Sequence, residues 1–191
     1  MALYKIDVDV SDYDRILKKF IGINNKFVNK NLLDFIAKKS FEVLKRVSLE
    51  NLSSVNEENL EKSLYMMSNQ WKLDGEDTIV LFNDSEIDIS SKDMSQEKKS
   101  KYPNLKISLS KIVEYGIGYT GGSKTAIKPS ADEWQYDINQ HGYKGWYYKD
   151  ENGNIVWTNG FEGRLIFYKT KQEIEKNINK WISQYINSKK D

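Results

Sequence analysis

Residues 116–121, Gly-Ile-Gly-Tyr-Thr-Gly, fit the G-x-G-x-x-G spacing by which a strand-to-helix turn brings backbone N–H groups to a pyrophosphate. That chemistry needs a helix beginning where the motif ends. The sequence that follows, GGSKTAIKPSADEW, instead brings further loop signals and a proline, so no nucleotide cofactor is expected. Gly122-Ser-Lys-Thr lacks the Gly-Lys pair of a P-loop. His141 is the single histidine, so a hydrolytic triad or a common zinc site would have to use it. It stands in a turn-rich NQHGYKG stretch with no His-Glu-x-x-His companion, and a locally bonded turn histidine is the simpler reading. The carboxylate pairs Asp7/Asp9, Glu57/Glu58, Asp132/Glu133 and Asp150/Glu151 could serve acid–base work only if buried in a cleft, and solvated faces account for them. No catalytic, cofactor-binding or metal-ligating residue is therefore assigned.

The other chemistry available is aromatic. Phe, Trp and Tyr make up 13% of the chain, with five Trp and twelve Tyr, and they concentrate in GYKGWYYKDENGNIVWTNGFEG over 142–163. Two alternating runs flank Asp150-Glu-Asn-Gly, in which Asn152 and Gly153 tolerate positive φ, so this segment reads as a β-hairpin. Trp146 and Tyr148 alternate against Tyr147, and Ile155 and Trp157 against Val156, so both faces carry apolar weight. Such a hairpin is read as sheet packing, a subunit interface or a stacking platform for sugars. Nucleic-acid platforms interleave aromatics with basic residues, and only Lys144 and Lys149 qualify here.

Several elements must position these residues. Tyr4 to Val10 alternates as a strand, Ser11 or Asp12 starts a short helix through Ile21, and a long helix runs from about Asn25 to Asn51. Its stripe is Leu32, Leu33, Ile36, Ser40, Val43, Leu44 and Val47. Asn56 opens another helix with Leu60, Leu64 and Met67 on one edge, the period changes at Trp71, and Thr78 to Phe82 is a strand. Asp84 to Asn104 reads as a long loop or flap, Leu105 to Tyr115 as a strand before a Gly-rich turn, and Trp134 with Tyr136 as one more short strand. From Thr170 a last helix carries Ile174, Ile178, Trp181, Ile182 and Tyr185. Helices, then strands, then a helix predict an α+β fold: an antiparallel sheet with an aromatic hairpin, packed against a long helix of the N-terminal half and a C-terminal helix.

The bounds agree. A chain of 191 residues fits one domain, 1–191, and buries roughly 70% of its unfolded surface without staples. There is no cysteine, which removes disulfides, thiolate metal sites and cysteine nucleophiles together. The start of the chain lacks a basic segment followed by an apolar run, and no segment approaches ~20 apolar residues, so an unexported protein with no membrane partner is expected. The net charge of +1 mixes both signs along the chain, unlike a duplex-binding surface.

The order of motifs resembles the small tail-completion or neck (head–tail joining) proteins of long-tailed bacteriophages. The likeness rests on Val113, Glu114, Tyr115, Gly116 and Gly118, then Gly145, Trp146 and Tyr148, then Trp157, Thr158 and Gly160, then Phe167 before the last helix. It covers about Phe27 to Ile186. The chain departs from the pattern at Asn59 to Ser63, which lacks a glycine, and in the length of the 84–104 segment. The resemblance implies a non-enzymatic virion component, made in the bacterial host cytoplasm. It would form a homo-oligomeric ring, hexamer or dodecamer, joining the portal-side head connector to the tail terminator or tube, with DNA passing through unread. Glu114, Tyr115, Gly116, Gly118, Trp146, Tyr148, Trp157 and Gly160 become the expected interface or structural motif. A carbohydrate-binding module using Trp134, Trp146 and Trp157 stays open as the alternative, and behind it a small hydrolase using Glu114 or His141.

Overall fold

A computed structural model describes residues 4–9, 26–53, 60–74, 78–88, 106–130, 134, 145–149 and 154–189. Their contacts group into two compact units, residues 3–84 with 166–191, and residues 85–165.

The first unit is helices on a sheet. Helix α1 (Lys26–Leu52) follows the expected stripe: Leu32, Leu33, Ile36, Ser40, Val43, Leu44 and Val47 are all buried. The short helix α2 is Leu60–Met67. Met67, expected on its apolar edge, is instead largely exposed at the last turn. Strands β1 (Tyr4–Asp9), β2 (Asn69–Asp74) and β3 (Thr78–Asn83) make an antiparallel sheet in the order β1-β3-β2. The middle strand buries Ile79, Val80 and Leu81 in succession, as an unalternating apolar run does when both faces are covered. Strand β2, unforeseen beyond the change of period at Trp71, alternates between covered and exposed side chains along one edge of the sheet.

A polar ladder ties these elements together. Asn69 stands opposite Asn83 in the β2–β3 register; the Asn83 Nδ2 donates to Tyr65 O and to Asn69 Oδ1, each at 2.8 Å, and Asn69 Nδ2 donates to Ser48 Oγ at 3.1 Å. Buried amides require such partners, and these bonds link α1, α2, β2 and β3.

The second unit corrects the reading of 105–115. Only β5 (Lys106–Ser108) is a strand, paired with β4 (Glu86–Asp88), and Leu109–Tyr115 form a helix, α3. Ser108 caps it by accepting from Lys111 N at 3.3 Å, and Leu109 N donates to Ser85 O. Leu109, Ser110, Ile112, Val113, Glu114 and Tyr115 are all buried, so the helix shows no amphipathic stripe that would set it apart from a strand. The expected flap therefore begins with strand β4, and 89–104 lie outside the described residues. The Gly-rich turn consists of a two-residue strand, β6 (Gly116–Ile117), and a seven-residue helix, α4 (Gly118–Lys124). The hairpin is present as β7 (Trp146–Lys149) against β8 (Ile155–Thr158), forming its own two-stranded sheet. Strand β9 (Phe161–Glu162) returns to pair with β6. Trp134 is buried outside any strand. Tyr136, His141, the 150–153 turn and the short helix expected at 11–21 lie outside the described residues.

After β9, within the first unit, α5 (Ile166–Asn187) starts four residues earlier than expected. It buries Ile166 and Phe167 as well as Ile174, Ile178, Trp181, Ile182 and Tyr185. It packs on α1, where the Phe35 and Tyr185 rings lie 5.4 Å apart. This is the α+β arrangement expected, with the N-terminal-half and C-terminal helices both present. Among the described residues no helix is long and apolar enough to cross a membrane.

Candidate interaction site: an aromatic hairpin on a glycine junction

Helix α3 ends on carbonyls that no helical turn can satisfy. Val113 O accepts from Arg164 N at 2.7 Å, Glu114 O from Leu165 N at 3.2 Å, and Tyr115 O from the Thr125 hydroxyl at 2.9 Å. Gly116 O accepts from the indole Nε1 of Trp134 at 3.0 Å. The same Thr125 oxygen accepts from Gly163 N at 2.8 Å, so one side chain bridges the end of α3 and the residue that follows β9. Glu114 and Tyr115 thus end a buried helix. The Glu114 side chain is fully covered, which places the hydrolase candidate away from solvent.

The two segments 116–118 and 159–163 run backbone against backbone. Register pairs Gly116 with Glu162 and Ile117 with Phe161, and Thr120 N donates to Asn159 O at 3.1 Å. A Cβ at Gly160 would fall 1.9 Å from Ile117 O, and one at Gly118 would fall 2.6 Å from Asn159 O and 2.9 Å from the Trp146 ring. Both glycines also hold positive φ, +92° and +68°. No residue with a side chain fits either constraint without displacing backbone.

This junction carries the hairpin. Gly145, at φ +92°, lets the entry to β7 pass the Thr158 carbonyl, and Trp146 lies half-buried against Gly118. The register sets Trp146 opposite Thr158, Tyr147 opposite Trp157, Tyr148 opposite Val156 and Lys149 opposite Ile155. One face of the sheet therefore presents Tyr147, Ile155 and Trp157, exposed by 68%, 71% and 48%. The Tyr147 and Trp157 rings meet edge to face at 4.7 Å between centroids, an attractive geometry for aromatic pairs. The Trp157 indole N–H donates to Asn159 Oδ1 at 2.9 Å, which holds the ring in place. Phe161 and Tyr119 are further exposed aromatics of this unit.

Of the residues expected to matter, Gly116, Gly118, Gly160 and Trp146 meet at the junction. Glu114 and Tyr115 lie behind it. Trp157 is on the exposed face, and Tyr148 stands in β7 opposite Val156. Tyr147 and Ile155, the exposed partners of Trp157, and Thr125, Asn159 and Gly163, parts of the junction, carry no signal in the sequence that marks them out. The alternation of β7 and β8 places 147, 155 and 157 on one face, but not which face is covered. Trp134, named for the carbohydrate reading, is committed to the core by its bond to Gly116. Among the described residues no group of three or more acidic or histidine side chains could hold a metal ion. Comparison with family models, curated proteins and solved structures finds no match.

Proposed function

We propose that this chain is a structural subunit of the head–tail junction of a long-tailed bacteriophage, a neck or tail-completion protein. It assembles as a ring between the head connector and the tail and catalyses no reaction. The motif order from Val113 to Phe167 supports the family reading. The observation that carries the assembly role is the face of Tyr147, Ile155 and Trp157, exposed on a hairpin that glycine contacts fix in place. Large rigid aromatics gain much on burial and lose little side-chain entropy, which suits a contact between subunits. Covering one such side chain contributes roughly 1.5–3 kcal/mol. A ring is closed by heterologous contacts, in which this face meets a different patch on the neighbour.

The test is light scattering of the purified chain with and without connector and tail-tube proteins, comparing wild type with the double substitution Tyr147→Ser and Trp157→Ser. A ring-sized species lost in the variant, whose circular dichroism stays native, is the expected result. A chain that ignores every partner, or a variant that assembles normally, removes the reading. The edge-to-face pair with the Asn159 amide beside the indole also fits a sugar-stacking site, centred on Trp157 and Tyr147 instead of Trp134. Quenching or a blue shift of Trp157 fluorescence by a glycan panel is the sign of that alternative.

A further inference from the structure

The sequence contains two Asn-Gly pairs, Asn152-Gly153 and Asn159-Gly160. Asparagine followed by glycine is the pair most prone to spontaneous deamidation, because glycine places no side chain in the way of its own backbone nitrogen. That nitrogen attacks Cγ of the asparagine. The N–Cγ bond forms, the Cγ–Nδ2 bond breaks, and the proton of the attacking nitrogen leaves with the amide as ammonia. Water then opens the cyclic imide. Opening at Cγ gives aspartate, whereas opening at the main-chain carbonyl carbon gives isoaspartate, whose main chain runs through the side chain and is longer by a methylene. Water is the only co-reactant.

At Asn159-Gly160 the groups of this reaction are already engaged. Gly160 N donates to Thr158 Oγ1 at 3.0 Å, and an N–H held as a donor is harder to strip of its proton. Asn159 Oδ1 accepts from Trp157 Nε1 at 2.9 Å and rests against Gly145, where a Cβ would fall 2.8 Å from it. Asn159 O accepts from Thr120 N at 3.1 Å and passes Gly118, where a Cβ would fall 2.6 Å from it. The carboxamide, the main-chain carbonyl and the attacking nitrogen are each held by a separate contact, and ring closure needs them to rotate together. Asn159 is exposed, so the junction withholds rotation and not water.

We propose that Asn159-Gly160 is a modification site under conformational control, inert while the hairpin sits on the junction and deamidated when the hairpin lifts. The change is one-way. Isoaspartate lengthens the main chain where Gly160 has no room even for a Cβ, 1.9 Å from Ile117 O, so the modified chain cannot resume the junction. Aspartate keeps the chain length and an acceptor oxygen for the Trp157 indole, and re-seats. An excursion of the hairpin is thereby recorded in covalent form. The control depends on the seating of the hairpin, whatever the exposed rings contact.

Residues 150–164 form one tryptic peptide, between the cleavage points after Lys149 and Arg164, so fragmentation by mass spectrometry reads both pairs and separates isoaspartate from aspartate. The full chain is incubated in mildly alkaline buffer with and without denaturing urea. Asn159 should deamidate at least about tenfold more slowly in buffer than in urea, an opening free energy of about 1.4 kcal/mol or more. Thr158→Val and Trp157→Phe, each withdrawing one bond, should speed the reaction in buffer and leave the rate in urea unchanged, with the fold checked by circular dichroism. A second arm uses Asn152→Asp, which keeps a turn residue and leaves Asn159 the one amide in an Asn-Gly pair. Its deamidated fraction, made in urea and collected by its added negative charge, should refold with native helix content. Its tryptophan emission should be red-shifted in proportion to its isoaspartate content, as Trp146 loses its half-buried place, while Asn159→Asp emits as wild type. Equal rates with and without urea overturn the proposal, as do folded variants that react no faster than wild type. A refolded isoaspartate form with wild-type emission overturns it as well.

Discussion

Gly160→Ala tests whether the junction is as tight as its geometry indicates. The new Cβ would lie 1.9 Å from Ile117 O, 2.6 Å from Ile117 C and 2.9 Å from Gly118 Cα, all backbone atoms that no rotamer change can move aside. Two costs add. A side chain held at positive φ costs about 1–2 kcal/mol, and forcing an atom into a packed site typically costs about 1–3 kcal/mol more. The sum is about 2–5 kcal/mol, which for a chain of this size lowers Tm by roughly 4–20 °C. Thermal unfolding followed by circular dichroism and by tryptophan fluorescence reads the loss. Trp134, Trp146 and Trp157 lie in the unit that contains the junction, so the fluorescence change should lead. A Tm within about 2 °C of wild type would refute the contact and, with it, the account of how the hairpin is held.

Three further outcomes follow from the first unit. Asn83→Leu withdraws the donors to Tyr65 O and Asn69 Oδ1 from a fully buried site, and should cost about 2–4 kcal/mol, read as a lowered urea midpoint. Arg46→Ala breaks bonds to Glu173 and Glu50, but the guanidinium is 46% exposed and the loss should stay under about 1 kcal/mol and shrink with added salt. The hydrogen bond to Glu173, then that to Glu50, holds the Arg46 pKa above its ordinary value. That raised pKa stabilises the fold fully below the unfolded-state value and is lost only at strongly alkaline pH, so no dependence near neutrality arises from it. Burial likewise raises the Tyr185 phenol above its ordinary 10.0, so stability is complete below that pH and falls as the phenol ionises. Tyr185→Phe should remove part of the alkaline decline of the urea midpoint while keeping the neutral value nearly unchanged.

The elements legible in the sequence were those with one covered face. The stripes of α1 and α5 and the apolar run of β3 announce themselves through period and composition, and their observed bounds differ from expectation by a few residues at most. Helix α3 reads as strand in the sequence because burial on nearly every side erases the period that separates the two; the signal that marks a helix is Ser108 as a cap before Leu109. Strand β2 shows little in its own sequence beyond the period change at Trp71, because Asn-Gln-Trp-Lys-Leu-Asp is mostly polar and lies at the sheet edge, and β4 pairs with β5 across an intervening segment of seventeen residues, 89–105. The hairpin is legible from its two alternating runs and the Asp150-Glu-Asn-Gly turn between them. Which of its faces is exposed was not, since that depends on what 116–118 and 159–163 do to each other, a contact between segments some forty residues apart.

An isolated two-stranded hairpin is marginally stable in water, and one that exposes two aromatic rings and an isoleucine gains little from its own packing. The junction supplies the missing order. Gly118 and Gly145 admit the Trp146 side and the Thr158 carbonyl at distances no other residue allows, so the base of the sheet is fixed before anything docks on it. A surface ordered in advance loses less conformational entropy on association than a loop that must be immobilised at the moment of contact. The glycines and the exposed rings therefore belong to one device, in which close backbone contact on the covered side makes the apolar side a rigid platform.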